Sequence, residues 1–121
     1  MEVKNIFVVG AGLMGSGIAQ TAIVSGFKVT LNDQRVEALD RAHDSIAKNL
    51  NREVEKGRMS QEDCDAAIAR LSTSASMQPA KDADLVIEAI FENLDAKQSV
   101  FKQLEEICPP HTIFASNTSS I

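Results

Sequence analysis

The sequence predicts an α/β fold, a parallel sheet wound with helices on both faces, and three observations carry that reading. An apolar run at residues 6–9 reaches Gly10, and GAGLMG sets Gly10, Gly12 and Gly15 in the spacing G-x-G-x-x-G. A helix-compatible segment follows as far as Gly26, and then a second apolar run that ends at Asp33. Two later apolar runs, LVIEAI at 85–90 and TIFA at 112–115, alternate with helix-forming stretches, the pattern of βαβ units. Strand, glycine turn, helix, strand and acid, in that order, make a Rossmann-type dinucleotide-binding unit.

Each glycine of the motif has its own task. Gly10 allows the tight turn out of the strand, Gly12 has no side chain to obstruct a pyrophosphate, and Gly15 lets the helix pack close to the sheet. The helix N-terminus behind them offers backbone N–H groups and a partial positive charge to phosphate. The motif by itself also occurs as a plain glycine turn. Asp33, close to the offset of roughly 20 residues expected of a ribose-binding carboxylate, decides for the ligand.

The composition sets bounds. With 121 residues, 44% hydrophobic and 24% charged, the chain has the length and make-up of one ordinary globular domain. A net charge of −5 argues against binding nucleic acid chiefly through its phosphates, although backbone dipoles can still hold an anionic cofactor. Cys64 and Cys108 form no C-x-x-C, so they read as reduced thiols of a cytoplasmic protein, and no metal site is expected. Glu2 and Lys4 precede an apolar run that Gly10 cuts short, unlike a signal peptide. No segment approaches the roughly 18 apolar residues of a membrane helix.

Along the chain, residues 3–9 are nearly all apolar, as in a strand buried on both faces. The first helix carries Met14, Ile18, Ala22 and Ser25 along one line, with Ala19 and Ile23 beside it. Gly17 within it costs roughly 1 kcal/mol against alanine, which a close approach to a strand or to the cofactor would offset. Gly26 is placed to end the helix in the left-handed conformation. Residues 35–56 are helix-forming, with Val36, Leu39, Ala42, Ile46, Leu50 and Val54 at spacings of three and four. Ser60 and Asp63 resemble a capping box for a further helix with Ala67, Ile68 and Leu71 inward. This helical pair is long for a plain crossover. Its cations Lys48, Arg52, Lys56 and Arg58 form either a solvated face or a bed for a polyanionic substrate.

Residues 72–77 hold at most a short edge strand, and Pro79, Lys81 and Asp82 a turn or short helix. In the strand at 85–90, Glu88 is costly unless paired or at an edge. Residues 94–107 form an amphipathic helix with Val100, Phe101, Leu104 and Ile107 inward, ended by Pro109 and Pro110. The last strand, 112–115, delivers Ser116, Asn117, Thr118, Ser119 and Ser120 to the carboxyl edge of the sheet, where α/β folds bind ligands. His43 lies in the polar middle of a helix and His111 just before a strand. Lone histidines in such places are usually structural or solvated.

Taken together, VVGAGLMGSGIAQ, LND, LVIEAIFENLDAK and TIFASNTSSI resemble the NAD-binding half of the L-3-hydroxyacyl-CoA dehydrogenases, including the 3-hydroxybutyryl-CoA type, from about residue 3 to residue 121. The resemblance implies oxidation of an L-3-hydroxyacyl-CoA to the 3-ketoacyl-CoA with hydride passing to NAD, or the reverse. It implies that Gly10, Gly12, Leu13, Met14 and Gly15 hold the pyrophosphate, and Asp33, with Gln34 beside it, the adenosine ribose. Glu92 and Lys97 would bracket the nicotinamide ribose, with Ala89, Asn117 and Ser119 along the nicotinamide. Ser119 would also face the substrate hydroxyl, and Asn49 and Lys56 would grip the CoA moiety. Asp33 accepts from ribose hydroxyls and repels an added phosphate, favouring NAD over NADP, while Arg35 leaves some NADP tolerance open.

In family members the catalytic histidine, its orienting glutamate and an all-helical domain that mediates homodimerisation follow beyond this length. The expectation is therefore an NAD-binding Rossmann domain, truncated before that helical domain. It would bind cofactor with little or no turnover, and its exposed surface would promote self-association. Three alternatives stay open: a stand-alone NAD-binding sensor, the half of a 3-hydroxyisobutyrate- or 6-phosphogluconate-type dehydrogenase, and, on the glycine motif alone, a flavin protein.

Overall fold

The computed structural model describes residues 2–90 and 94–116, the side chains of Leu94 and Ala96 excepted. Strand β1 (Asn5–Val9) leads to helix α1 (Leu13–Val24) and strand β2 (Lys28–Asn32). Helices α2 (Val36–Glu55) and α3 (Gln61–Ala69) then precede β3 (Leu71–Ser74). A 3-10 turn at Gln78–Asp82, β4 (Leu85–Glu88), α4 (Leu94–Ile107) and β5 (Ile113–Ser116) complete the order.

The strands line up as β3-β2-β1-β4-β5, and every neighbouring pair is parallel. After β3 the chain returns past β1 to lay down β4, so the order reverses between β1 and β4 and leaves a crevice at their carboxyl ends. The sheet is doubly wound. Ile6 and Val8 of β1 face one core with Val29, Leu31, Ala19, Ile23, Leu39, Ile46 and Leu50, under α1, α2 and α3. Phe7 and Val9 face the other with Val86, Ala80, Ala83 and Leu104, under α4 and the 3-10 turn. This alternation explains why β1 reads as continuous apolar sequence: both of its faces are covered.

The local signals behave as their chemistry requires. Ser60 Oγ accepts from Asp63 N–H at 3.0 Å, the cap that starts α3. At the end of α1, Gly26 has φ +102°. Its N–H reaches the Ile23 carbonyl at 3.2 Å, and the N–H of Phe27 reaches Ala22 at 3.1 Å, a Schellman closure. The insertion between β2 and β3 is the helical pair expected.

Four expectations are corrected. Leu71 opens β3 rather than extending α3, and it is buried there. The inward line of α1 runs through Gly15, Ala19, Ala22 and Ile23, a residue away from the line through Met14 and Ile18, and Ser25 is exposed. A Cβ on Gly17 would meet nothing within 4 Å among the described residues, which removes a strand, though not the cofactor, as the neighbour that offsets its cost. In α4, Leu104 is buried with Val100 and Ile107 packed against the same core, as expected, and only Phe101 departs from that line, turning edge-on to Phe114 of β5 with ring centroids 6.1 Å apart. The last strand itself lies on the edge, with Ile113 and Phe114 exposed.

Candidate functional site

The carboxyl ends of β1, β2, β4 and β5 meet around the glycine turn. Gly10 leaves β1 at φ +105°, where an L side chain is strained, and a Cβ there would lie 2.7 Å from the Ala89 carbonyl. Its N–H donates to the Asn32 carbonyl at 2.7 Å, and Ala89 N–H donates to the Val9 carbonyl at 2.9 Å. The turn is thereby tied to β2 on one side and to the end of β4 on the other. Gly15 is tighter still: a Cβ would fall 1.7 Å from the Gly10 carbonyl oxygen. At Gly12 the surroundings are the reverse, with nothing within 4 Å of an added Cβ. Gly12 is also the N-cap of α1 and brings no side-chain cap, so the first-turn N–H groups await acceptors from outside the helix. Leu13 stands beside them 96% exposed. Open space over a helix N-terminus, flanked by two packed glycines, is a cradle for an anionic group.

Asp33 closes the cradle on the β2 side. Its Oδ2 accepts from Ala11 N–H at 2.9 Å and its Oδ1 from Arg35 N–H at 2.9 Å. The Arg35 guanidinium forks over both oxygens, Nε to Oδ1 and Nη2 to Oδ2, each at 3.0 Å. Burial pushes the Asp33 carboxyl up, but the Arg35 side-chain bonds, the Ala11 and Arg35 N–H groups and the arginine charge overcome it and hold the pKa at about 2. Gln34 lies exposed next to it.

On the β4 side Glu88 is fully buried and far from unpaired. It accepts from Ile90 N–H at 2.5 Å and from Ser116 Oγ at 2.7 Å. Lys97 Nζ of α4 lies 3.7 Å away. Asn32, also buried, donates through Nδ2 to the carbonyls of Ser74 at 3.0 Å and Ser76 at 3.1 Å, tying β3 to the site. The Lys97 partner and the Asn32 clamp have no short-range signature in the sequence. The Asp33–Arg35 fork could have been read from the D-x-R spacing beyond a strand end.

The expected residues divide into three sets. Gly10, Gly12, Leu13, Met14, Gly15, Asp33, Gln34 and Ala89 converge on the crevice at the order reversal, and Lys97 reaches its β4 side. Glu92, Asn117 and Ser119 lie outside the described residues. Asn49 and Lys56 line a separate groove of about 500 Å³ between α1 and α2, with Gln20, Thr21 and Arg52, and Asn49 Nδ2 donates to Gln20 Oε1 at 3.0 Å. Of the neighbouring cations, Arg58 turns instead to Glu53, 3.7 Å away. A cavity of about 760 Å³ opens at the opposite edge of the sheet, beside Asn5, Lys28, Arg70, Lys81 and His111. Ligands of open parallel sheets bind at strand carboxyl ends, so size does not make this cavity the site. His111 belongs to that far edge, with Nε2 2.9 Å from Asp84, and His43 sits within α2. Among the described residues no helix is long and apolar enough to cross a membrane.

The comparisons with known proteins agree with this geometry. The family model described as "3-hydroxyacyl-CoA dehydrogenase, NAD binding domain" matches residues 5–121. The chain belongs to that family. Its cofactor is NAD, and the cradle at Gly12 with the carboxylate at Asp33 fits the pyrophosphate and a ribose. Among relatives of this dehydrogenase domain is a probable 3-hydroxybutyryl-CoA dehydrogenase of Bacillus subtilis, 50% identical over 121 residues. A 3-hydroxyadipyl-CoA dehydrogenase of Escherichia coli is 43% identical over 121 residues. Both alignments cover 100% of this chain, but it spans only 42% and 26% of those relatives. The crystal structure of an Escherichia coli 3-hydroxybutyryl-CoA dehydrogenase superposes with a TM-score of 0.96 at 43% identity, covering 100% of this chain and 26% of that one. One from Ralstonia eutropha gives 0.93 at 38%, covering 99% and 42%.

Proposed function

We propose that this chain is the cofactor half of an enzyme that oxidises an L-3-hydroxyacyl-CoA, such as 3-hydroxybutyryl-CoA, to the 3-ketoacyl-CoA, or runs the reverse reaction. The observation that carries the reading is the cradle itself: an uncapped helix N-terminus over the open Gly12, with an ionised Asp33 at the end of β2. NAD supplies the hydride acceptor. The first turn of α1 binds its pyrophosphate, and Leu13 and Met14 flank it. Asp33 and Gln34 take the adenosine ribose, Glu92 and Lys97 the nicotinamide ribose, and Ala89, Asn117 and Ser119 border the ring. Ser119 meets the substrate hydroxyl. The groove between α1 and α2 supports a CoA site at Asn49 and Lys56, since it is concave and lined by the cations Arg52 and Lys56, while the Glu53 carboxylate that also lines it is paired with Arg58. In its full setting the domain works in a cytoplasmic homodimer.

A general base must come within hydrogen-bond reach of the proton that it removes. Among the described residues His111 lies on the far edge of the sheet and His43 on α2, away from the cradle, and the expected outcome is that the 121-residue chain alone binds cofactor without appreciable turnover. Calorimetric titration with NADH and, separately, with acetoacetyl-CoA tests the reading. Binding of both, with the NADH signal lost in Asp33→Ala and the acyl-CoA signal weakened in Lys56→Ala, is the expected result. Binding of NADH alone would favour a stand-alone NAD-binding module. Steady oxidation of 3-hydroxybutyryl-CoA by this chain would overturn the assignment of catalysis to other residues.

A further inference from the structure

The α4 side of the sheet is covered unevenly. Phe7, Thr30 and Ser72 stand in one row across β1, β2 and β3, and along it they pass from buried through half-buried to exposed. The cause is the crossover from β3 to β4. Residues 75–84 hold only the 3-10 turn at Gln78–Asp82, where a parallel connection usually carries a helix. The turn packs on Phe7 and leaves the cavity of about 760 Å³ beside it, toward β2 and β3. Its charges run against those of the acidic chain. Lys28, Arg70 and Lys81 line it with one carboxylate, Asp82, while His111 in the same lining is paired with Asp84. Elsewhere Arg35, Arg58 and Lys97 each have a carboxylate within 4 Å. Among the described residues Lys28, Arg70 and Lys81 have none. Arg70 is the sharpest case, because its Nη1 is buried and meets no acceptor there. Buried donors are nearly always paired, so a guanidinium packed into a cavity wall with a donor unmet is one whose partner comes from outside the chain.

We propose that this cavity is a second anion site, at the opposite end of the strands from the Gly12 cradle, and that it takes a small phosphate monoester. The three cations exceed Asp82 by two charges, which a phosphate monoester, carrying about two negative charges, neutralises. Arg70 suits phosphate through its fork of N–H groups. Lys28 adds charge from β2 and Lys81 from the 3-10 turn, and the hydroxyls of Thr30 and Ser72 are donors for further oxygens. A volume of about 760 Å³ lies within the range of small-molecule sites, so an organic group has room beside Pro79 and Pro109. The two sites lie at opposite strand ends, and both can be filled at once.

The test is a site-resolved amide NMR titration of the 121-residue chain with inorganic phosphate and with glycerol 3-phosphate, at constant ionic strength and with NADH present. Saturable shifts are expected at Lys28, Thr30, Arg70, Ser72 and Lys81, with glycerol 3-phosphate binding at least as tightly as phosphate. In Arg70→Gln the midpoint should rise about tenfold or more, as when a charge-assisted contact is lost. The double variant Lys28→Gln with Lys81→Gln, at two exposed positions, should do the same and decides the matter if Arg70→Gln does not fold. Asp82→Asn should lower the midpoint. Shifts that grow without saturating, shifts confined to residues 11–15, or a midpoint in the folded variants equal to the parent's would each overturn the proposal. The amides of residues 11–15 report the cradle separately, so a failure of that site is distinguishable from a failure of this one.

Discussion

Gly12 and Gly15 lie three residues apart in one motif, and the structure assigns them opposite sensitivities to the same added methyl group. In Gly15→Ala the new Cβ would start 1.7 Å from the Gly10 carbonyl oxygen. Reaching even 3.0 Å requires α1 or the turn to shift by roughly 1.3 Å. The obstructing atom is backbone, in a turn held to β2 by the 2.7 Å bond from Gly10 N–H to Asn32, so no flexible side chain can yield. Lifting α1 would loosen Ala19 and Ile23, both fully buried. We expect a cost at or above the usual upper range for overpacking, about 3 kcal/mol, and a melting temperature lower by roughly 10 °C. Gly12→Ala meets nothing within 4 Å, and its φ of −75° suits alanine. Its stability should stay within about 1 kcal/mol of the parent's, the gain from a less flexible unfolded chain being offset by alanine's poor standing at the N-cap position. Its ligand does not escape. A methyl over the helix N-terminus keeps a phosphate oxygen from the roughly 2.9 Å that an N–H contact needs, and losing one charge-assisted bond weakens NADH binding about tenfold or more. Urea unfolding and NADH titration on both variants make the comparison. An unfolding midpoint for Gly15→Ala equal to the parent's, or parent-like NADH affinity in Gly12→Ala, would refute it.

Two further outcomes follow from the carboxylates. Glu88→Ala leaves the Lys97 ammonium, 15% exposed, without that carboxylate and should cost about 3–5 kcal/mol in urea unfolding. Glu88→Gln keeps an acceptor for Ile90 or Ser116 and should cost less, about 1–3 kcal/mol, so equal costs would show that the charge contributes nothing. Asp33 and Asp84 are both held at about 2, below the ordinary 3.8. At Asp84 the Asn5 and Lys4 N–H groups and then His111 lower the pKa against the upward push of burial. In each case the unfolded chain takes up its proton at a higher pH than the folded one does. The stabilisation is therefore complete above about pH 4 and fades as pH falls toward 2. Urea midpoints measured down that range should fall less steeply in Asp84→Asn than in the parent, and identical slopes would count against the linkage.

Much of the fold was legible because single segments carry enough signal. β1 is apolar throughout after Asn5, α2 repeats its apolar residues at helical spacing over five turns, and the glycine turn sits between a strand and a helix. Where the sequence misleads, the reason is local degeneracy. Helix α1 is so rich in apolar and small residues, LMGSGIAQTAIV, that it has no polar face to fix its rotation. Leu71 stands four residues after Ala67, a helical spacing, yet Arg70 N–H caps back onto the Ala67 carbonyl at 3.0 Å and frees the next residue for the sheet. Of the candidate site, the phosphate cradle and Asp33 follow from motif and offset. The partners of Glu88 do not, because Ser116 is 28 positions away and only the pairing of β4 with β5 brings it near.

That long-range pairing explains how an acidic chain can offer an anion site. With a net charge of −5, the protein gains nothing from its overall field, so attraction has to be local. Among the described residues, the two carboxylates at the carboxyl edge nearest the cradle are both engaged: Glu88 by Ile90, Ser116 and Lys97, Asp33 by Ala11 and Arg35. Bound in this way, they repel an incoming pyrophosphate less than free acids would. They also fix the backbone that must receive it, since Asp33 holds the N–H of Ala11 inside the glycine turn and Glu88 holds that of Ile90, next to the Ala89 carbonyl that crowds Gly10. The positive end of α1 then acts across an open gap at Gly12 with its geometry already set, which is where a backbone dipole is most effective.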